Sequence, residues 1–259
     1  MVRKNISKEF RYNKKKPIVN NDDLIEAEGR RVPVCFCIDT SLSMNIIVDE
    51  KDTKATGQRI SFDGIKGELV EGGVSIKDCV NERLSKFYKI LARDSKRLGI
   101  EIALVTFDDY TMVHDFKSIK ALGNIPVIHT KGEKSYLGEG LETALEVLEL
   151  RKEGYKKQEL SYYQPFLIVM TDGLNTKDDE IFEEIKNKIV EKVKQKKLNL
   201  IICSFSDNIP PALKELQKGN DELMASNNKG YGNPLFTMDS TIKIEQLFNY
   251  ITKTVGGLS

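Results

Sequence analysis

Four short, almost uninterrupted apolar runs, each set apart from the next by longer stretches of mixed polarity, limit what this chain can fold into more than any other feature. They are VPVCFCI from Val32 to Ile38, EIALVTF from Glu101 to Phe107, PFLIVM from Pro165 to Met170 and LNLIICSF from Leu198 to Phe205. Runs of this length without polar alternation belong to strands covered on both faces. The segments 76–98, 137–150, 179–196 and 242–255 instead repeat apolar residues three and four apart, which lines one face of a helix. Strands and helices taking turns imply βαβ units with right-handed crossovers. The expected fold is therefore α/β, a three-layer sandwich with a central, mostly parallel sheet and helices on both faces. Met112–Phe116, just beyond Asp108-Asp109-Tyr110-Thr111, reads as a hairpin partner of the preceding strand and gives one antiparallel edge strand. Leu235–Met238 reads as a short edge strand, and Phe87, Ile90 and Leu91 as core residues of the first long helix.

Residues 45–73 break the alternation. They hold Asp63-Gly64 between RISF and IKGELV, a strong two-residue hairpin signal, and read as an inserted hairpin or flap between the first strand and the first long helix. Residues 1–31 are polar, basic first and acidic later, and read as a loosely attached tail before a single domain over 32–259. The Lys-rich stretch Lys186–Lys197 reads as the solvated face of a helix. In the whole chain 40 Lys and Arg oppose 39 Asp and Glu, a net charge of +1, so no global field points to nucleic acid or a membrane surface. No run approaches the roughly 18 apolar residues of a membrane span, and no apolar segment follows the basic start, so the expected location is cytoplasmic. Cys35, Cys37, Cys79 and Cys203 form no CxxC pair and read as reduced core thiols; with two histidines in the chain, a zinc site lacks ligands.

In sheets of this kind ligands bind beyond the carboxyl ends of the strands. Three such places hold oxygen ligands: Asp39-Thr40-Ser41-Leu42-Ser43 after the first run, Thr171-Asp172-Gly173 after the third, and Ser135 in the loop before the helix at Leu137. Asp39, Ser41, Ser43, Ser135 and Asp172 together offer two carboxylates and three hydroxyls. That set suits a hard divalent cation such as Mg²⁺, which keeps several waters and is held by one or two carboxylates. A coordination position left open would accept a carboxylate from outside, making the ion a docking point.

At these residues the sequence resembles a family. Asp39-x-Ser41-x-Ser43 is similar to the DxSxS signature of von Willebrand factor A domains, and Thr171-Asp172-Gly173 to their second carboxylate loop, over about Val32 to Thr254. Val105-Thr106-Phe107-Asp108-Asp109, Leu137-Gly138, Phe166–Asp172 and Leu247-Phe248-x-Tyr250-Ile251 resemble the bacterial intracellular, tellurium-resistance-associated (TerY-like) branch. The resemblance implies the family's Rossmann-like sandwich and its metal-ion-dependent adhesion site. Mg²⁺ or Mn²⁺ would be held by Asp39, Ser41, Ser43, Ser135 and Asp172 and completed by an acidic side chain of a protein partner. Asp39 and Asp172 would hold the ion directly or through water, and Ser135 would move toward it when a ligand engages. It also implies an adaptor or scaffold rather than an enzyme, set among stress-response, kinase or phosphatase proteins. The chain departs from the pattern at Ser135, where relatives have Thr, with Thr130 as the weaker substitute. Leu42 stands where Gly is common, so the first loop is expected to follow a different backbone path.

Other readings fit parts of these data. A strand end followed by helix-capping hydroxyls explains Asp39, Ser41 and Ser43 alone, a turn explains Asp172 alone, and Asp108 and Asp109 read as hairpin-turn residues. A Mg²⁺-dependent phosphatase of haloacid-dehalogenase type would use Asp39 as nucleophile, but the general-acid position two residues on is Ser41. No GxGxxG or GxxxxGK[ST] loop is present to bind a nucleotide.

Overall fold

The computed structural model describes residues 17–21, 24, 29–62, 65–94, 99–119, 125–172, 179–206, 209–226, 235–237 and 240–257. The four apolar runs form β1 (Arg31–Asp39), β6 (Gly99–Phe107), β8 (Phe166–Thr171) and β9 (Asn199–Ser204). β7 (Thr111–Ser118) is the antiparallel edge, and β10 (Leu235–Thr237) closes the other side; Met238 lies outside the described residues. The sheet order is β10-β9-β8-β1-β6-β7, with every pair parallel except β6 and β7. This is the expected mixed α/β sheet with one antiparallel strand.

Among the described residues five α-helices accompany the strands: α1 (Ile76–Asp94), α2 (Leu137–Lys157), α3 (Asp179–Lys194), α4 (Pro211–Ser226) and α5 (Thr241–Gly256). Because strand side chains alternate between faces, β1 sends Val34, Phe36 and Ile38 to α1 and α5, and Cys35 and Cys37 to the opposite layer with α2, α3 and α4. The first layer is knitted by Phe36, which meets Phe87 edge-on at 5.4 Å and stacks on Phe248 at 6.3 Å. Phe87 and Leu91 are core as expected. Ile90 is not: it is 40% exposed, because it lies one residue off the buried stripe of α1. All four cysteines are buried and free. No described helix is long and apolar enough to cross a membrane.

The 45–73 segment contains two small sheets. β2 (Ile47–Asp49) pairs with β5 (Val74–Ser75), and from that base rises the ribbon of β3 (Lys54–Phe62) and β4 (Ile65–Glu71), antiparallel with Phe62 opposite Ile65. The Asp63-Gly64 step lies outside the described residues. Glu183, Glu184 and Glu222 neutralise Lys186, Lys188 and Lys194, and Glu149 pairs with Lys192, so much of the Lys-rich stretch is bound in ion pairs along α3.

Part of the segment expected to hang loose is instead docked. Leu24 is fully buried, Arg151 donates to the Asn20 carbonyl at 2.7 Å, and Arg31 donates to the Leu24 carbonyl. The polar composition concealed this because backbone carbonyls, which every residue has, make the contacts.

Candidate functional site

β1 is where the chain reverses its direction of sheet growth. α1, which follows it, covers one face and leads to β6 on one flank, while α2 covers the other face and leads to β8 on the opposite flank. Crevices form at such switch points beyond the carboxyl ends of the strands. With Ile38 opposite Met170 in register, Asp39 and Thr171 are neighbours and Asp172 follows at once.

Asp39 is completely buried and both of its oxygens are engaged. Oδ1 accepts from the Ser41 backbone N–H at 2.9 Å; Oδ2 accepts from Ser135 Oγ at 2.8 Å and from Thr171 Oγ1 at 2.6 Å. Ser41 Oγ and Ser43 Oγ lie 2.9 Å apart in the same loop. Ser41, Ser43, Ser135 and Asp172 are buried to within a few per cent. Burial, reinforced by the charge of Asp172, pushes the Asp39 carboxyl up from 3.8 to about 6, against the opposing hydrogen bonds from Thr171 and Ser41. Three chain segments expected to converge thus share one small buried polar cluster.

The second loop is held by backbone bonds. Leu42 N–H donates to Gly132 at 2.9 Å and Lys131 N–H to Thr40 at 3.2 Å, while Tyr136 N–H reaches the Asp108 carbonyl at 3.2 Å. Ser135 is thereby carried to Asp39. Thr130 is not: its hydroxyl donates to Asn45 Oδ1 at 3.0 Å. Leu42 opens a 3-10 turn (Leu42–Asn45) and is not among the non-glycine residues with positive φ, which among the described residues are Asp52, Glu159 and Lys196. The first loop accommodates Leu without strain because its path avoids the left-handed region.

Two hydroxyls were not singled out from sequence. Thr171 bonds Asp39 directly, and its signal was its place at the strand end immediately before Asp172. Thr40 Oγ1 donates to Asp108 Oδ2 at 3.1 Å and so joins the first loop to the β6–β7 turn. Asp108 behaves as a turn residue, its Oδ1 accepting from Tyr110 N–H at 2.9 Å. Gly173 lies outside the described residues.

The donor chemistry fits a hard divalent ion. Two carboxylates squeezed together underground favour a cation between them, and hydroxyls that donate to Asp39 retain lone pairs for a metal. Among the described residues no group of three or more His, Cys, Asp or Glu has metal-holding geometry, so this set depends on hydroxyls and water to fill a coordination sphere.

Comparison with family profiles matches residues 65–249 to the von Willebrand factor type A domain. The matched span includes Ser135 and Asp172 and begins after Asp39, Ser41 and Ser43. Among solved structures the chain is similar to the PilB minor pilin from Streptococcus sanguinis, with TM-score 0.52 and 16% identity over 90% of this chain and 62% of that one. It is also similar to a von Willebrand factor type A protein from Catenulispora acidiphila (TM-score 0.50, 13% identity, 88% of this chain, 43% of that one). A third is the pilus adhesin SpaC from Lactobacillus rhamnosus GG (TM-score 0.53, 11% identity, 89% of this chain, 31% of that one). At such identities the likeness is one of fold, and this chain spans less than two thirds of each of these structures. No curated protein matches it in sequence.

Proposed function

The chain belongs to the von Willebrand factor type A domain family, whose members commonly serve adhesion or protein interaction, and from that premise we propose that it binds a partner protein through a divalent ion. Asp39, Ser41, Ser43, Ser135 and Asp172 hold Mg²⁺ or Mn²⁺, and an acidic side chain of the partner completes the coordination. The observation that carries this reading is the buried Asp39 carboxyl, whose ionisation is opposed by burial and by Asp172 and which a cation would favour. When bound, the ion supplies a positive charge at the sheet edge for a foreign carboxylate. The chain's own part is to align Asp39 through Ser41, Ser135 and Thr171.

Thermal unfolding with Mg²⁺, with Mn²⁺ and with chelator tests it. An ion at 100 times its dissociation constant stabilises the native state by about 2.7 kcal/mol. The parent is expected to gain stability with the ion, and Asp39→Ala to lose that gain; an unresponsive parent at millimolar ion overturns the reading. A phosphatase using Asp39 as nucleophile has less support, since both Asp39 oxygens are engaged and the side chain is fully buried. Asp39-dependent turnover of a phosphate ester would restore it. The four buried free thiols agree with a reducing compartment such as the cytoplasm. The TerY-like resemblance supports a partner from a bacterial stress-response, kinase or phosphatase system.

A further inference from the structure

Next to the candidate metal site a cavity opens, of about 510 Å³, between the β6–β7 turn and the 127–132 segment. Its floor is Thr40, which sits between Asp39 and Ser41, and Gly132, which is bridged to Ser41. A Cβ on Gly132 would meet Asp108 Cβ at 2.5 Å and Asp109 N at 2.8 Å, so the lack of a side chain lets the two walls close at the base. The cavity and the metal site therefore share the first loop, and one extended chain can reach both.

Its lining has two characters. Met112, Val127 and Ile128 form apolar walls, with Met112 53% and Val127 59% exposed at the opening. Asp108 and Asp109 add carboxylates. Asp108 is satisfied within the turn, whereas Asp109 uses Oδ2 to accept from Glu133 N–H at 3.2 Å and leaves Oδ1 buried without a hydrogen-bond partner. Thr111 Oγ1, also on the lining, is likewise buried and unsatisfied. Three basic side chains also line it: Lys131 and His129 are exposed at the rim, where water and salt screen charge, and His114 is half-buried.

We propose that this cavity receives a lysine or arginine side chain of the same partner that presents its acidic residue to the metal. The inference rests on the metal-docking reading above. A long aliphatic stem suits the walls of Met112, Val127 and Ile128, and a cationic head suits the carboxylates that Asp108 and Asp109 place on the same lining. A purely apolar occupant would instead set hydrocarbon against both carboxylates. The partner surface is accordingly a short segment of mixed charge, with an acid for the ion and a base for the cavity.

The test uses the whole chain labelled at its methionine methyls, with the Met112 signal assigned by its loss in Met112→Leu. N-acetylargininamide is titrated beside its uncharged isostere N-acetylcitrullinamide and beside N-acetylnorleucinamide. The Met112 methyl is expected to shift saturably with the arginine compound, with affinity falling roughly tenfold for either neutral compound. Asp109→Asn should weaken arginine binding to a similar degree. Val127→Lys, an exposed change that brings in a competing cation, should do the same should Asp109→Asn fail to fold. Equal responses to the three compounds, or arginine binding indifferent to both variants, overturn the proposal. Asp39→Ala should keep the arginine response while losing the metal response, so the two readings fail separately. Peptides carrying one Arg and one Asp at short separations should bind more tightly in Mg²⁺ than in chelator; equal affinity at every separation overturns the shared partner.

Discussion

At the scale of single residues, Asp39 sets the chemistry. Its pKa is about 6 in the fold against an ordinary 3.8, so between those values the folded chain holds a proton that the unfolded chain has released. Stability in chelator is therefore greatest below about pH 4, falls as pH rises through 6, and stays lower above it. Urea unfolding across this range should show the fall in the parent and a flatter curve in Asp39→Asn, and Mg²⁺ should offset the fall by taking the place of the proton. A parent curve as flat as that of Asp39→Asn would remove the electrostatic basis of the site. Gly132 makes a steric prediction of its own. Because an added Cβ would fall 2.5 Å from Asp108 Cβ and 2.7 Å from its Cγ, Gly132→Ala must part the two loops and should cost about 1–3 kcal/mol, read as a lower urea midpoint with unchanged slope. Asp39, Ser41 and Ser43 could be read from the sequence because they form a spaced motif, and Asp172 and Ser135 because they sit in loops at the strand and helix ends. Thr171 could not, since its hydroxyl matters only once β1 and β8 are in register.

At the scale of elements, the β3–β4 ribbon is attached through its base and exposed along most of its length. A two-stranded ribbon with so little burial adds little to the stability of its carrier. Replacing Lys54–Glu71 with a short Gly-Ser link is expected to change unfolding free energy by no more than about 0.5 kcal/mol and to leave the Mg²⁺ response intact, as followed by circular dichroism during urea titration. A larger loss would mean that the ribbon braces the metal loop. The ribbon, the buried strands and four of the helices were legible because their periodicities are long and clean. α4 was not. Its buried stripe of Leu213 and Leu216 continues into Asn220, fully buried and donating to the Leu200 carbonyl at 3.1 Å, and Gly219 precedes it. Gly-Asn reads locally as a turn. Here the glycine lets the helix approach α3, its absent Cβ falling 3.1 Å from Val190 Cα, and the asparagine caps a strand carbonyl, so tertiary contacts decide against local preference.

At the scale of the molecule, the sheet has two ends with different duties. At the end of the sheet opposite the Asp39 cluster, Glu101 is buried between two arginines: Arg151 Nε donates to its Oε2 at 2.8 Å, and an Arg31 nitrogen lies 3.5 Å from Oε1. Tyr155 Oη also donates to Oε2, and the guanidinium of Arg151 lies 5.4 Å from the centre of the Phe116 ring. The same two guanidiniums donate to the carbonyls of Asn20 and Leu24, which ties the N-terminal segment to the body. Nothing in the local pattern around Arg31, Glu101 or Arg151 announced this cluster, because its members come from three distant elements. Removing the Glu101 charge takes a buried partner from both cations, so Glu101→Gln should cost about 3–5 kcal/mol. Yet Arg31 and Asp39 begin and end the same nine-residue strand, so roughly 26 Å of β1 separates the two ends at 3.3 Å per residue. The variant should therefore unfold at markedly lower urea while its remaining folded population binds Mg²⁺ with the parent's dissociation constant, measured by calorimetry below the transition. If the ion's affinity fell along with stability, the site would depend on the rigidity of the whole sheet and the separation of the two ends would be wrong.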